Sequence, residues 1–277
     1  MHSHFPLALG AIVLWAGLAT LGVRLAHLPP FWLTGVALLI GSVLAWPLSR
    51  FDFSQWRVPP RTLALGVYGL FGFHFLLFIA LRHAPPVQAN LINYLWPLGM
   101  VVLAPWCLPG TRLSLRQLLA ACLGFVGAAL AITGGRPVEG GLAWGYLPAL
   151  GSAFIWASYS LWSQRVAPFP TSAIGLFALL SGLLSLACHA LLEPPVALRS
   201  GDLWWLALMG LGPLGAAFFL WDAALKRGDA RQIGLLSFLT PLLSTALLLW
   251  DRGEPWSASI GGAAALIVGA AWLGRTR

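Results

Sequence analysis

The apolar positions of the chain form long runs, interrupted by short clusters of Pro, Gly and charged residues. A hydrocarbon core of about 30 Å needs roughly 20 apolar residues per spanning helix. The punctuation divides the chain into ten such stretches, approximately 5–26, 30–49, 61–82, 86–108, 114–133, 142–166, 172–192, 202–225, 231–250 and 256–274. The pattern predicts an all-α integral membrane protein. The longest connector runs from about Arg50 to Pro60, which leaves no room for a soluble domain. No Lys or Arg precedes the first apolar run, so it reads as a retained helix and not as a cleaved signal peptide.

The runs repeat. Ala80–Leu81–Arg82 with Gln88, Leu91, Leu95, Pro97 and Leu98 recurs as Ala224–Leu225–Lys226 with Gln232, Leu235, Leu239, Pro241 and Leu242, at an offset of 144. Leu9–Gly10, Trp15–Ala16, Arg24, Ala26 and Pro29 recur at an offset of 141, from Leu150 to Pro170. Val126–Gly127–Ala128–Ala129 recurs as Val268–Gly269–Ala270–Ala271, at an offset of 142. Three matches in the same order predict a duplicated unit, with one copy over 1–137 and the other over 138–277.

Five spans per copy send the second copy into the membrane from the opposite side. The expected architecture is therefore two inverted five-helix repeats within one transporter domain, the arrangement by which secondary transporters alternate access. Cytoplasmic termini would put Arg50, Arg57, Arg61, Arg112, Arg116, Arg165, Lys226, Arg227, Arg231, Arg275 and Arg277 inside. Only Arg24, Arg82, Arg136, Arg199 and Arg252 would lie outside. Eleven against five favours both termini in the cytoplasm.

Composition agrees with the pattern. Apolar residues make up 59% of the chain and charged ones 9%, against about 45–50% and about 25% in soluble domains. The net charge of +8 is spread singly through short loops as orientation signals, so no nucleic acid partner is expected. Cys107, Cys122 and Cys188 lie in apolar stretches without metal-ligand spacing, and read as small core residues. No metal or other cofactor is expected; the partners are a small-molecule substrate and the lipid bilayer, and the chain is expected to act as a monomer.

The two inverted copies, with Trp–Ala near the middle of the first and sixth helices, resemble the drug/metabolite transporter superfamily, EamA type, over essentially the whole chain. Asn90–Leu91–Ile92–Asn93–Tyr94–Leu95–Trp96–Pro97 is similar to the fourth-helix motif of its YddG-like aromatic amino acid exporters. The resemblance implies gradient-linked or facilitated export across a bacterial inner membrane, through a central cavity lined by helices 1, 3, 4, 6, 8 and 9.

Pro97 and Pro241 fall mid-span at equivalent places, and each frees the carbonyl four residues back, at Asn93 and Ser237. Beside a wet cavity such carbonyls are tolerable, so the prolines are read as hinges, with a plain packing kink as the alternative. Gly69 and Pro213 form a second pair that allows bending. Asn90, Asn93, Tyr94 and Pro97 share one face of the fourth helix, and Ser152, Trp156, Tyr159, Ser160 and Ser163 one face of the sixth. With mid-depth Trp15 and Trp96, they read as a wall for an amphoteric aromatic ligand; interhelical hydrogen-bond glue is the alternative. The remaining tryptophans near span ends (Trp46, Trp56, Trp106, Trp204, Trp205, Trp250 and Trp256) read as an interfacial belt.

Ionisable groups inside the spans are few. His74, one turn before Phe78, is a candidate for substrate binding or proton relay, and equally for a hydrogen-bonded core histidine. Asp222 is a second candidate for proton coupling, although an i, i+4 pair with Lys226 is the preferred reading. His189 and Glu193 are expected to be solvated. No mid-span Glu favours a cationic-drug pump, and no mid-span Lys or Arg supplies an anion clamp, which leaves a neutral or zwitterionic substrate. Ala120–xxx–Gly124, Gly127–xxx–Ala131 and Ala265–xxx–Gly269 are expected to join helices 5 and 10 away from the cavity. The function expected is alternating-access export of aromatic, and possibly other neutral, amino acids. The alternative is export of other small neutral metabolites or drugs by the same superfamily. A membrane enzyme is disfavoured, since GxSxG, HExxH and paired-aspartate motifs are lacking.

Overall fold

The computed structural model of the chain describes residues 4–138 and 141–274. Arg275 and Arg277, assigned above to a cytoplasmic tail, lie outside the described residues. Among the described residues the regular structure is helical throughout. Eight helices are long and apolar enough to cross a membrane: α1 (His4–Arg24), α2 (Pro30–Leu48), α3 (Pro60–His83), α4 (Pro86–Cys107), α5 (Leu115–Thr133), α7 (Thr171–Leu192), α8 (Asp202–Leu225) and α9 (Ala230–Arg252). Two shorter helices complete the order, α6 (Tyr146–Trp162), of 17 residues, and α10 (Ala258–Leu273), of 16 residues. Both are shorter than the 142–166 and 256–274 stretches that hydropathy outlines. The chain is a multi-pass membrane protein. In the Arg50–Pro60 connector the structure adds only a single-turn helix, Phe53–Trp56, capped by the Asp52 carboxylate on the Ser54 amide at 3.0 Å. Hydrogen bonds from Ser54 hold that exposed carboxyl below its ordinary pKa.

Four helices depart from regular α geometry at paired places. α4 breaks at Tyr94–Leu95, between segments Pro86–Asn93 and Trp96–Cys107. α9 breaks at Ser237–Phe238, between Ala230–Leu236 and Leu239–Arg252. Pro97 and Pro241 stand just past these breaks, where a missing amide costs least. α3 and α8 each contain one π-helical turn, Tyr68–Gly72 and Gly212–Ala216, which hold Gly69 and Pro213. At Gly69 the Tyr159 ring lies so close to the backbone that a Cβ would collide with it. The wide turn beginning at Gly212 leaves the Pro213 carbonyl to accept from Trp15 Nε1 at 3.1 Å.

The packing of the two sequence copies is reciprocal. α1 lies against α8 and α9, while its equivalent α6 lies against α3 and α4. α2 packs on its equivalent α7, and α5 on its equivalent α10. Small residues make these contacts close: a Cβ on Gly35 of α2 would sit 2.8 Å from Leu186 Cγ of α7, and one on Gly127 2.7 Å from Ile267 Cγ1. The α5–α10 junction expected from the small-residue spacing is thus present, and neither helix lines the central cavity.

Glu193 is not solvated. Its side chain is fully buried, because the N-terminus of α2 arrives beside it. The carboxylate accepts from the amides of Phe31 at 3.0 Å and Trp32 at 3.1 Å, capping α2 and opposing its positive end. Arg82 at 2.7 Å and His189 at 3.1 Å complete the cluster, so α2, α3 and α7 meet on one carboxylate. Of the three free cysteines, Cys107 is buried, but Cys122 is exposed on the outer surface and not in the core.

Candidate substrate cavity

A cavity of about 470 Å³ runs from Gly22, Pro30, Leu81 and Pro86 at one end of the bundle to Trp96, Trp156 and Phe218 at mid-depth. The breaks in α4 and α9 adjoin it: Asn90, Asn93, Tyr94 and Trp96 of α4 and Thr240 and Ser244 of α9 line the same space. α1 contributes Trp15, α3 contributes His74 and Phe78, and α6 contributes Trp156. α2, absent from the expected set of lining helices, contributes Pro30, Leu33 and Thr34. The Glu193 cap holds its first turns beside the end of α3, which explains its presence.

The floor is a cluster of indoles. Trp15, Trp96 and Trp156 all touch Trp221, with ring centroids 5.1, 5.6 and 6.3 Å away. Trp15 also meets Trp156 edge-on at 5.7 Å. Phe218 joins Trp15 and Trp156 at 6.0 and 5.7 Å, and the His74 ring at 6.3 Å. Trp221 is only 1% exposed and escapes a reading that sorts tryptophans by span end or span centre. It packs behind the lining indoles and does not itself line the cavity. Phe218, Thr240 and Ser244 were likewise not among the expected site residues.

The polar groups of the wall divide into engaged and open ones. Asn93 Oδ1 accepts from Ser152 Oγ at 2.9 Å, which fixes the amide beside the break. His74 Nδ1 donates to the Leu70 carbonyl at 2.6 Å, leaving Nε2 as the free nitrogen of a ring that lines the cavity. Thr240 Oγ1 is buried without a hydrogen-bond partner. Among the described residues no Asp, Glu, Lys or Arg lines this cavity.

Four expected site residues lie elsewhere. Tyr159 is buried over Gly69 against Trp156, not on the wall. Ser160 accepts from Trp221 Nε1 at 3.1 Å. Ser237 donates to the Ile233 carbonyl at 2.9 Å, within its own helix. Ser163 lines a second cavity of about 710 Å³ at the other end of the bundle, with Gln164, Lys226, Arg227 and Gln232. On α6 the cause is shared: α3 and α4 pack against it, so only Trp156 reaches the central space. Asp222 is also away from it. Its Oδ2 accepts from Thr171 Oγ1 and Lys226 Nζ, each at 2.6 Å, so the i, i+4 pair is present. Lys226, whose ammonium lies 3.8 Å over the Phe169 ring, is held below the ordinary lysine pKa by burial, against the pull of Asp222.

The sequence and the fold have known counterparts. Residues 4–133 and 143–275 each match the EamA-like transporter family. The chain belongs to that family. It is similar, at 41% identity over 94% of this chain and 93% of the relative, to the aromatic amino acid exporter YddG of Ancylobacter novellus. The aromatic amino acid exporter YddG of Escherichia coli is 25% identical, over 96% of each chain. A solved protein structure superposes with a TM-score of 0.91 at 38% identity, covering 98% of this chain and 96% of that one. Membership of the EamA-like family makes the chain a transporter of small molecules, and makes the cavity its candidate substrate path.

Proposed function

We propose that this EamA-like protein exports aromatic, and other neutral, amino acids across the bacterial inner membrane by alternating access. The observation that carries the reading is the floor of three indoles, Trp15, Trp96 and Trp156, packed on Trp221 and facing an uncharged polar wall. Ring faces suit an aromatic side chain, while amide, imidazole and hydroxyl groups suit a zwitterionic end. The similarity to aromatic amino acid exporters supports the same substrate class.

In this reading ten helices cross the membrane as two inverted copies, 1–137 and 138–277. Two matches to one family, the reciprocal packing of α1 and α6 and the paired defects support it. Both termini are cytoplasmic, so the end marked by Gly22 and Pro86 faces outward and the second cavity faces the cytoplasm. The indole floor then separates the two, and the elements at Gly69, Pro97, Pro213 and Pro241 flex as the copies exchange conformations. Of the two groups considered for proton coupling, His74 lines the path and Asp222 does not. Coupling is accordingly assigned to His74, and the transporter works as a monomer.

The test is counterflow of radiolabelled tryptophan and phenylalanine in proteoliposomes, with and without an imposed pH gradient. Flux of both is expected, reduced at least about tenfold in Trp96→Ala, the scale of losing one well-packed aromatic contact. Absence of flux, or full flux in the variant, overturns the proposal.

A further inference from the structure

We infer that Thr240, with Ser244 one turn along α9, is the element that binds the carboxylate end of the substrate. The inference rests on the amino acid reading above and assigns within it a group to one end of the zwitterion.

Thr240 is 5% exposed, lines the cavity, and carries a buried hydroxyl without a partner. Buried polar atoms in folded proteins are nearly always paired, and a persistent exception beside a ligand space points to a group that the ligand completes. Of the neighbouring polar groups, the His74 Nδ1 donor is already held by the Leu70 carbonyl, and Asn93 Oδ1 accepts from Ser152. Ser244, at i+4 on the same helix face, adds a second hydroxyl at the same wall.

Charge decides which end of the substrate goes there. Indole faces carry negative potential, so they attract an ammonium group and repel a carboxylate. Among the described residues no Lys or Arg lines the cavity to meet a carboxylate instead. The carboxylate must therefore find neutral O–H or N–H donors away from the ring faces, and Thr240 offers one that nothing else uses. Its counterpart at the 144 offset is Trp96, which also lines the cavity. One copy thus supplies a ring at this register and the other a hydroxyl.

The experiment compares Thr240→Val, which keeps the shape and removes the hydroxyl, with Thr240→Ser, which keeps the hydroxyl. Phenylalanine counterflow is measured with two competitors: phenethylamine, which lacks the carboxylate, and 3-phenylpropionate, which lacks the ammonium. Thr240→Val is expected to raise the KM for phenylalanine about tenfold, the worth of one hydrogen bond to a charged group, and Thr240→Ser less than about twofold. Inhibition by 3-phenylpropionate should weaken in parallel, and inhibition by phenethylamine should not change. If Thr240→Val does not fold, Thr240→Ala makes the same comparison. An unchanged KM, or equal shifts for all three compounds, overturns the assignment while leaving the amino acid reading intact. No phenylalanine flux in the unsubstituted protein overturns that reading, and the assignment with it.

Discussion

α5 with α10, and α4 with α9, are both pairs of sequence equivalents, yet repetition serves them differently. α5 and α10 are unbroken, rich in Gly and Ala, and pressed together so closely that a Cβ on Gly127 would lie 2.7 Å from Ile267. α4 and α9 keep matching breaks and matching prolines, but Trp96 in one stands at the register of Thr240 in the other. Where the copies must fit each other, the side chains stay alike and small. Where they enclose something else, only the backbone defect is shared.

Substitutions separate the two uses. The largest effect is expected from Gly127→Leu, which drives several atoms into the α10 backbone. Overpacking of this kind costs about 1–3 kcal/mol or more, so little folded protein should survive detergent size-exclusion chromatography. Folded Gly127→Leu with altered substrate choice would erase the distinction between scaffold and cavity. Next comes Trp96→Thr, which copies the second repeat into the first. It should lose about 30-fold in tryptophan flux per folded molecule, as expected of a buried aromatic contact of about 2 kcal/mol. Pro97→Ala and Pro241→Ala should each slow turnover by a similar factor, about three- to tenfold, by mending the breaks. A large inequality between them would mean that only one break moves. The smallest effect belongs to Ser152→Ala, which frees the Asn93 amide. Losing one neutral hydrogen bond of about 1 kcal/mol should raise KM about fivefold with turnover unchanged.

Much of this was legible in the chain. Hydropathy and punctuation place the helices to within a few residues, since the bilayer sets their length. The prolines place the two breaks to within a turn, and the offset of 144 pairs them. What stayed hidden depends on which helix meets which. Glu193 looks like a surface carboxylate because nothing in its own segment shows that the α2 N-terminus comes to rest on it. The serines of α6 share a face with Trp156, but that face is covered from both sides, and a periodic pattern carries no record of its neighbours. Trp221 and Thr240 were missed for the opposite reason. Each is unremarkable within its own helix, and only the fold brings Trp221 behind the indoles and Thr240 to the cavity wall.

The absence of charged side chains from the cavity wall has an electrical consequence. Moving one elementary charge through the membrane field is worth about 2.3 kcal/mol per 100 mV. A zwitterion passing an uncharged wall carries no net charge, so the field does no work on it. On this reading, current recorded during amino acid flux counts the protons exchanged for the substrate, and a silent electrode during active flux means that none are.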